Sequence, residues 1–364
     1  ETLSDSLRAE LPTALAETIA FGLQPLDKLP NKPARSSGAE LLVVPDEGPL
    51  PAWLPPSRVL GGFYVLRMLG EGSLGSVFVV KRMEERHDPM SEELALKVPE
   101  YDGSAARSLS QEEFMGMFRH EAGALLAVPS HANLASFVTF DAGVRPKPVL
   151  VMELVPGLTL EHVIERGEFS CARALDIVDQ VLAGLESMHS VGVGHLDVKP
   201  SNIILRPLAD GQRQPVLVDF GLAGRHVRPG CATGSYGAPE IWGAMGTDAL
   251  LQPMPCDVYA LGCVAYELFT GRLLFEAPNE ALLIRRHLEH DGVPAEIVNL
   301  GSQPGLEGLA TWLTGCLRQD PTRRFSASEA RQQLRMLVPD LGQRGWPLSC
   351  SQATAPPVRA TPAE

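Results

Sequence analysis

Four short stretches of this 364-residue chain carry groups that could act on a phosphate. Asp197, Lys199 and Asn202 stand at i, i+2 and i+5, just ahead of the apolar run Ile203-Ile204-Leu205. Asp219-Phe220-Gly221 begins 17 residues after Asn202. Far upstream lie Gly70-Glu71-Gly72-Ser73-Leu74-Gly75 and then Ala95-Leu96-Lys97-Val98. Glycines in such a turn let backbone N–H groups approach phosphate oxygens that a Cβ would obstruct. Lys97 has apolar neighbours, which argues for a cleft rather than a solvated face. A buried ammonium there needs a carboxylate partner. Asn202 and Asp219 are oxygen donors suited to a hard cation.

These groups need elements to hold them. Phe63–Leu69, Val77–Lys81 and Leu94–Val98 read as strands, so the glycines join two β-strands. A dinucleotide-binding turn would lead into a helix instead. Arg206–Gln214 is a polar turn between the strand-like runs Ile203–Leu205 and Val216–Val218. That hairpin would present Asn202 and Asp219 from neighbouring strand ends, close enough to share a metal. Residues 158–190 carry helical periodicity. Upstream, Leu3, Leu7, Leu11, Leu15 and Ile19 predict an amphipathic helix that Pro12 would start or kink. Pro25, Pro30 and Pro33 read as linker, and Glu40–Val44 as a short strand.

In this order and at these separations the segments resemble the eukaryotic-type Ser/Thr protein kinase family, bacterial members included. The resemblance spans roughly residues 60–338. It implies an α+β, bilobal kinase fold with a small β-rich N-lobe carrying the family's αC helix and a larger helical C-lobe. The expected division is an extension over 1–60, a kinase domain over 61–338 (N-lobe 61–154, C-lobe 155–338) and a disordered Pro/Ala/Thr-rich tail over 339–364.

The resemblance also implies roles. ATP would lie under Gly70, Gly72 and Gly75. Lys97 would bind its α/β-phosphates, held by Glu121 of Phe118-Arg119-His120-Glu121-Ala122, with Glu112 and Glu113 as fallbacks. Leu69, Val77, Ala95 and Ile204 would sandwich the adenine. Met152 would be the gatekeeper, and the backbone of Glu153 and Val155 would bond the ring. Asn202 and Asp219 would hold Mg²⁺, with Mn²⁺ as an alternative. Asp197 would orient the acceptor hydroxyl and take its proton, and Lys199 would neutralise the transferring phosphate. Thr233 resembles the threonine that contacts the catalytic Asp. Lys199 and Thr233 together favour Ser/Thr acceptors on a protein. Ala238-Pro239-Glu240 would close the activation segment, Cys256–Gly262 would open a buried helix, and Arg324 would pair with Glu240.

Two departures stand out. Leu196 occupies the place where many members carry an Arg that pairs with a phosphorylated activation-loop residue. The expectation is a segment ordered without phosphorylation. Ala232 stands where a Gly often precedes the activation-segment Thr. Cys231 beside it reads as an inert thiol more readily than as a redox switch. Two other readings remain beside the protein kinase. One is a pseudokinase or scaffold that binds nucleotide or a partner without turnover, favoured only by Leu196. The other is a small-molecule kinase on a related fold, disfavoured by the Ala-Pro-Glu segment.

Composition narrows the partners. A net charge of -13 argues against nucleic acid. No apolar run reaches the ~20 residues of a membrane span; Val258–Phe269 is short and carries Glu267. No signal segment opens the chain. A start at Glu1 rather than Met implies a fragment, outside which a sensor domain or membrane segment could lie. The 6 cysteines form no C-x-x-C pair, which suits reduced thiols and a cytoplasmic domain.

Overall fold

The computed structural model describes residues 50–72, 75–101, 110–167, 169–220, 222–227, 232–243, 252–290 and 292–348, without the side chains at 71, 72, 113, 117 and 121. The helix expected over residues 3–19, the strand at 40–44, Cys231 and residues 349–364 lie outside the described residues.

The N-terminal lobe is built on β1 (Val59–Leu60), β2 (Phe63–Gly72), β3 (Gly75–Arg82), β4 (Leu94–Pro99), β5 (Phe137–Asp141) and β6 (Val149–Glu153). They form one antiparallel sheet in the order β1-β2-β3-β4-β6-β5. Helix α1 (Gln111–Leu125) belongs to the same lobe. β4 is buried along its whole length, so its sequence is apolar throughout apart from Lys97. Its side chains still alternate between faces. Leu94, Leu96 and Val98 join an outer core with Val65, Phe78, Val80, Val149 and Val151. Ala95 joins the core of the cleft side, with Leu150, Met152 and Val77. Lys97, two residues on from Ala95, follows it onto that face.

The expected boundary at 60/61 falls inside this packing. Residues 50–58 form two turns, closed by Leu54 N–H to the Pro51 carbonyl (3.0 Å) and Arg58 N–H to the Pro55 carbonyl (2.8 Å). They lay Leu50, Trp53 and Leu54 on the outer core. The Trp53 ring meets Phe78 edge-on at 5.9 Å, and its indole N–H donates to Glu100 Oε1 at 2.9 Å. Lys147 Nζ stands 4.4 Å above the same ring and 3.6 Å from Glu100.

The C-terminal lobe is helical. α2 (Leu160–Arg166) and α3 (Cys171–His189) are each capped by the preceding hydroxyl, Thr159 and Ser170. A small sheet follows, β7 (Leu158–Thr159), β8 (Ile203–Pro207) and β9 (Arg213–Leu217), in that order. α4 (Pro253–Thr270) is buried on nearly every side and ends at Gly271 in the left-handed region. This is why it reads as an apolar run broken only by Asp257 and Glu267. α5 (Glu280–Leu288), α6 (Ala295–Gly301), α7 (Glu307–Cys316), α8 (Ala327–Met336) and α9 (Val338–Leu341) complete the lobe. No helix among the described residues is long and apolar enough to cross a membrane.

The tail expected from 339 is packed through 348. Trp346 Nε1 donates to the Leu268 carbonyl at 2.7 Å. Leu348 N–H donates to the Phe269 carbonyl at 2.9 Å, and the Leu341 and Leu348 side chains are buried. Composition misplaced this boundary because two apolar anchors outweigh the polar bias around them.

Trp53→Ala removes a half-buried ring, its hydrogen bond and the Lys147 contact together. Unfolding by denaturant should show a loss of about 2 kcal/mol. An unchanged midpoint would mean that the 50–58 segment is not part of the folded unit.

Candidate active site

The site starts from a buried carboxylate. Asp257, in the first turns of α4, is fully buried. Its Oδ2 accepts the His195 backbone N–H at 2.8 Å and its Oδ1 accepts the Leu196 N–H at 2.7 Å. His189, at the end of α3, lies 2.8 Å from Oδ2 through Nε2. The stretch between α3 and β8 is thereby tied to α4. It needs that tie, because Leu196 has φ +64°, a conformation that L residues with a Cβ avoid.

His195 is buried and directional. Its Nε2–H donates to the Val218 carbonyl at 3.1 Å and its Nδ1 accepts the Asp197 N–H at 3.3 Å. Burial pushes its pKa down, which keeps Nδ1 an acceptor. The Phe220 ring packs against it at 5.2 Å. The loop bearing Asp197 and the loop bearing Asp219 are thus joined through one imidazole.

Asp197 receives donors from three residues. Thr233 Oγ1 donates to its Oδ1 at 3.0 Å. Lys199 Nζ (2.7 Å) and Asn202 Nδ2 (2.9 Å) both donate to its Oδ2. Lys199 also reaches Thr233 Oγ1 at 3.2 Å, and Asn202 Nδ2 also binds the Asp197 carbonyl at 2.9 Å. Val218 N–H donates to the Asn202 carbonyl at 2.9 Å, just beyond the β8–β9 ladder. Asn202 and Asp219 therefore leave neighbouring strand ends. Asp219 sits at φ +58°, and Lys97 Nζ lies 3.3 Å from its Oδ1. Lys97 is nearly buried while the Asp219 carboxylate is half exposed.

Glu121 lies on α1, but its side chain is outside the described residues, as is that of Glu113; Glu112 is exposed. On the cleft face, β3–β4 pairing sets Val77 opposite Lys97, and β4–β6 pairing sets Ala95 opposite Met152. Ile204 packs against the same core from β8. Leu69 is 49% exposed at the mouth. Val155 is buried. Glu153 donates its N–H to the Ser136 carbonyl at 2.8 Å, and its carboxylate pairs with Arg206. Gly70 and Gly72 lie at the end of β2, and Gly72 pairs with Gly75 across the turn. At Gly75 (φ +142°) a Cβ would stand 2.0 Å from the Val98 carbonyl oxygen, so the fold itself requires glycine there. At Gly70 a Cβ would meet open space, so the fold makes no such demand.

Beside the site, Arg324 grips Glu240 through two bonds of 2.7 and 2.9 Å, both side chains being 1% exposed or less. This fixes the Ala238-Pro239-Glu240 end of the activation segment.

Sequence reasoning placed Asp257 at the start of a buried helix but gave it no part in the site. A carboxylate at the head of an otherwise apolar run was the available signal.

The protein kinase domain profile matches residues 63–334. A probable serine/threonine-protein kinase, pknA2, of Bifidobacterium longum is 29% identical over 301 residues, covering 80% of this chain and 37% of its own length. The serine/threonine-protein kinase pkn2 of Myxococcus xanthus is 30% identical over 283 residues, covering 74% and 32%. The serine/threonine-protein kinase PkaB of Streptomyces coelicolor is 32% identical over 298 residues, covering 78% and 65%. With both lobes, the cleft and the profile in agreement, this chain belongs to the protein kinase family. It spans from about a third to under two thirds of the length of these relatives.

Asp257→Asn replaces one acceptor oxygen by an N–H donor facing a backbone N–H. A loss of about 2–3 kcal/mol in unfolding free energy is expected. Wild-type stability would show that the 195–196 backbone does not depend on this carboxylate.

Proposed function

We propose that this chain transfers the γ-phosphoryl group of ATP to Ser/Thr hydroxyls of protein substrates. The observation that carries the reading is the convergence of Lys199, Asn202 and Thr233 on the Asp197 carboxylate. Phosphoryl transfer asks for positioning and charge neutralisation more than for covalent help. Asp197, held from two sides, would orient the acceptor hydroxyl and receive its proton. Lys199, shared between Asp197 and Thr233, would face the transferring group. Lys97 would hold the α/β-phosphates, with Glu121 of α1 as its proposed partner. The open space at Gly70 suits a ligand approaching the backbone there. Val77, Ala95, Met152 and Ile204 form an apolar slot for the adenine, with Leu69 at its mouth. The backbone of Glu153 and Val155 would bond its edge.

The family uses ATP and a divalent metal in general. Here Asn202 and Asp219 fit Mg²⁺ or Mn²⁺, because both offer oxygen and the Asn202 amide nitrogen is already committed to Asp197. When bound, such a cation would neutralise phosphate charge. The names of the relatives, Lys199 and Thr233 support Ser/Thr acceptors. The net charge of -13 speaks against nucleic acid as partner. The unpaired, buried Cys171, Cys256, Cys263 and Cys316 suit a reducing cytoplasm.

Intact mass before and after Mg-ATP, beside Asp197→Asn, tests the reading. Added phosphate in the parent, at least about a hundredfold slower in the variant, is expected. Nucleotide binding without transfer to itself or to a generic basic protein would move the reading to a scaffold.

Leu196 bears on activation. Its buried side chain lines one small space with Ala232, Tyr236, Ile241 and Ala260, so methyl groups rather than a guanidinium meet the activation segment. Protein that has never carried phosphate should therefore work within about threefold of autophosphorylated protein, under 1 kcal/mol. A tenfold rise on phosphate incorporation at Thr233 or Ser235 would contradict this.

A further inference from the structure

A buried hydrogen-bond chain in the C-terminal lobe ends at His287, on the helix that lies against the segment holding Thr233. Tyr259, fully buried on α4, places its hydroxyl 2.8 Å from His287 Nδ1 and 2.9 Å from His290 Nε2. The Gly292 N–H donates to His290 Nδ1 at 3.0 Å. That bond fixes the proton order. His290 Nδ1 is an acceptor, so a neutral His290 carries its proton on Nε2 and donates to the Tyr259 oxygen. The Tyr259 hydroxyl then donates to His287 Nδ1, which leaves the His287 proton on Nε2.

Nothing within hydrogen-bond limits takes that last donor. It faces the backbone of Gly234 and Ser235, which favours its protonated form. His287 is wholly buried. Burial first, and His290 second, push its pKa down to about 3, so the neutral form required by the chain is the one present near neutrality. Leaving a buried donor without an acceptor is costly.

We propose that His287 is a positioning residue for phosphoryl transfer, holding Thr233 against Asp197 through the backbone of Gly234 and Ser235. The proposal rests on reading residues 197–233 as the transfer site. Three observations connect the two ends. The Thr233 carbonyl accepts the N–H groups of Tyr236 (3.0 Å) and Gly237 (2.9 Å), so 233–237 is one tight turn. Helix α5, which carries His287, lies beside that turn: a Cβ at Gly234 would be in van der Waals contact with Glu280 at 3.4 Å and Leu283 at 3.5 Å. Ala232 packs against the cluster of Trp242 and Ile284, which Ala281 and Leu288 of α5 also join. A shift of the 234–235 backbone therefore moves Thr233, and with it one of the donors on Asp197. The ring of Tyr259 also carries Arg324, the partner of Glu240, on its face at 5.1 Å, so the Glu240 end of the activation segment leans on the same tyrosine.

The test uses the whole chain as Tyr259→Phe, His287→Phe, the double variant and His287→Gln, whose amide can reach the place of Nε2. Each Phe variant should lower kcat on a generic basic protein about tenfold while the KM for ATP stays within about twofold. The double variant should be no worse than the poorer single, because both break the same chain. Hydrogen exchange of the 233–237 amides, measured without nucleotide, should speed up about tenfold while the α3 amides keep their protection. His287→Gln should recover part of both. Unchanged kcat and exchange in Tyr259→Phe, which fills the same volume and is the variant most certain to fold, would overturn the proposal. Additive losses with faster exchange along all of α4 would also overturn it, since they would mark ordinary core packing. Should the parent transfer phosphate to nothing, the transfer reading falls by itself; the exchange comparison still decides whether His287 holds the turn.

Discussion

The carboxylate of Asp257 is the interaction on which the site depends. A left-handed Leu196 costs about 1–2 kcal/mol. A hydrogen bond to a charged group contributes roughly 1.5–3 kcal/mol, and Asp257 makes two of them to adjacent backbone N–H groups. The tie therefore outweighs the strain it imposes. The strain has a consequence: by turning the backbone at 196, it sends the next side chain, Asp197, toward Lys199 and Thr233. The desolvation of a buried carboxylate is offset by the same bonds, with His189 as a further partner. Helix α3, helix α4 and the loop are fixed relative to one another at this one group.

Glu240 and Arg324 play a similar part for the activation segment, at different cost. Both are buried, and taking two charges out of water is expensive. Arg324 offsets this by also donating to the carbonyls of Pro255 (2.7 Å) and Arg318 (2.8 Å). The Cys256 thiol donates to Glu240 Oε1 at 3.2 Å. Burial and the adjacent Glu240 charge push that thiol's pKa well up, so it remains a donor and not a nucleophile. What the pair secures is placement: the Arg324 guanidinium holds the Glu240 carboxylate, and with it the end of the segment, in one position.

The sequence made the fold legible where patterning and order carried it. The strands around the glycines and the β8–β9 hairpin followed from apolar spacing, and the buried helix α4 from the family resemblance of Cys256–Gly262. Asp197, Lys199, Asn202, Asp219 and Thr233 were legible because their order along the chain is distinctive. The groups that position them were not. Asp257 acts on residues 61 and 62 positions away, and Tyr259 on histidines 28 and 31 positions away. No local pattern announces such partners; only tertiary packing brings them together. The boundaries failed for a related reason. Trp53 and Trp346 sit in stretches whose composition reads as linker, and a single buried aromatic side chain can outweigh many exposed polar ones.

The strand that carries Lys97 joins these threads. Its side chains go alternately to two cores, so the ammonium cannot be placed independently of the outer face. Leu94, Leu96 and Val98 each contribute about 1.5–3 kcal/mol by burial, and they do so against a layer that Trp53 and Leu54 close from upstream. Glu100, just past the strand, is held by Trp53 and Lys147. The register that sets Lys97 opposite Val77 on β3 and Leu150 on β6 is therefore supported from the side facing away from the cleft. A one-residue slip of β4 would send the lysine into the outer core and Leu96 or Val98 into the cleft. Residues ahead of the first strand thus bear on the chemistry without approaching it, through the packing that keeps β4 in register.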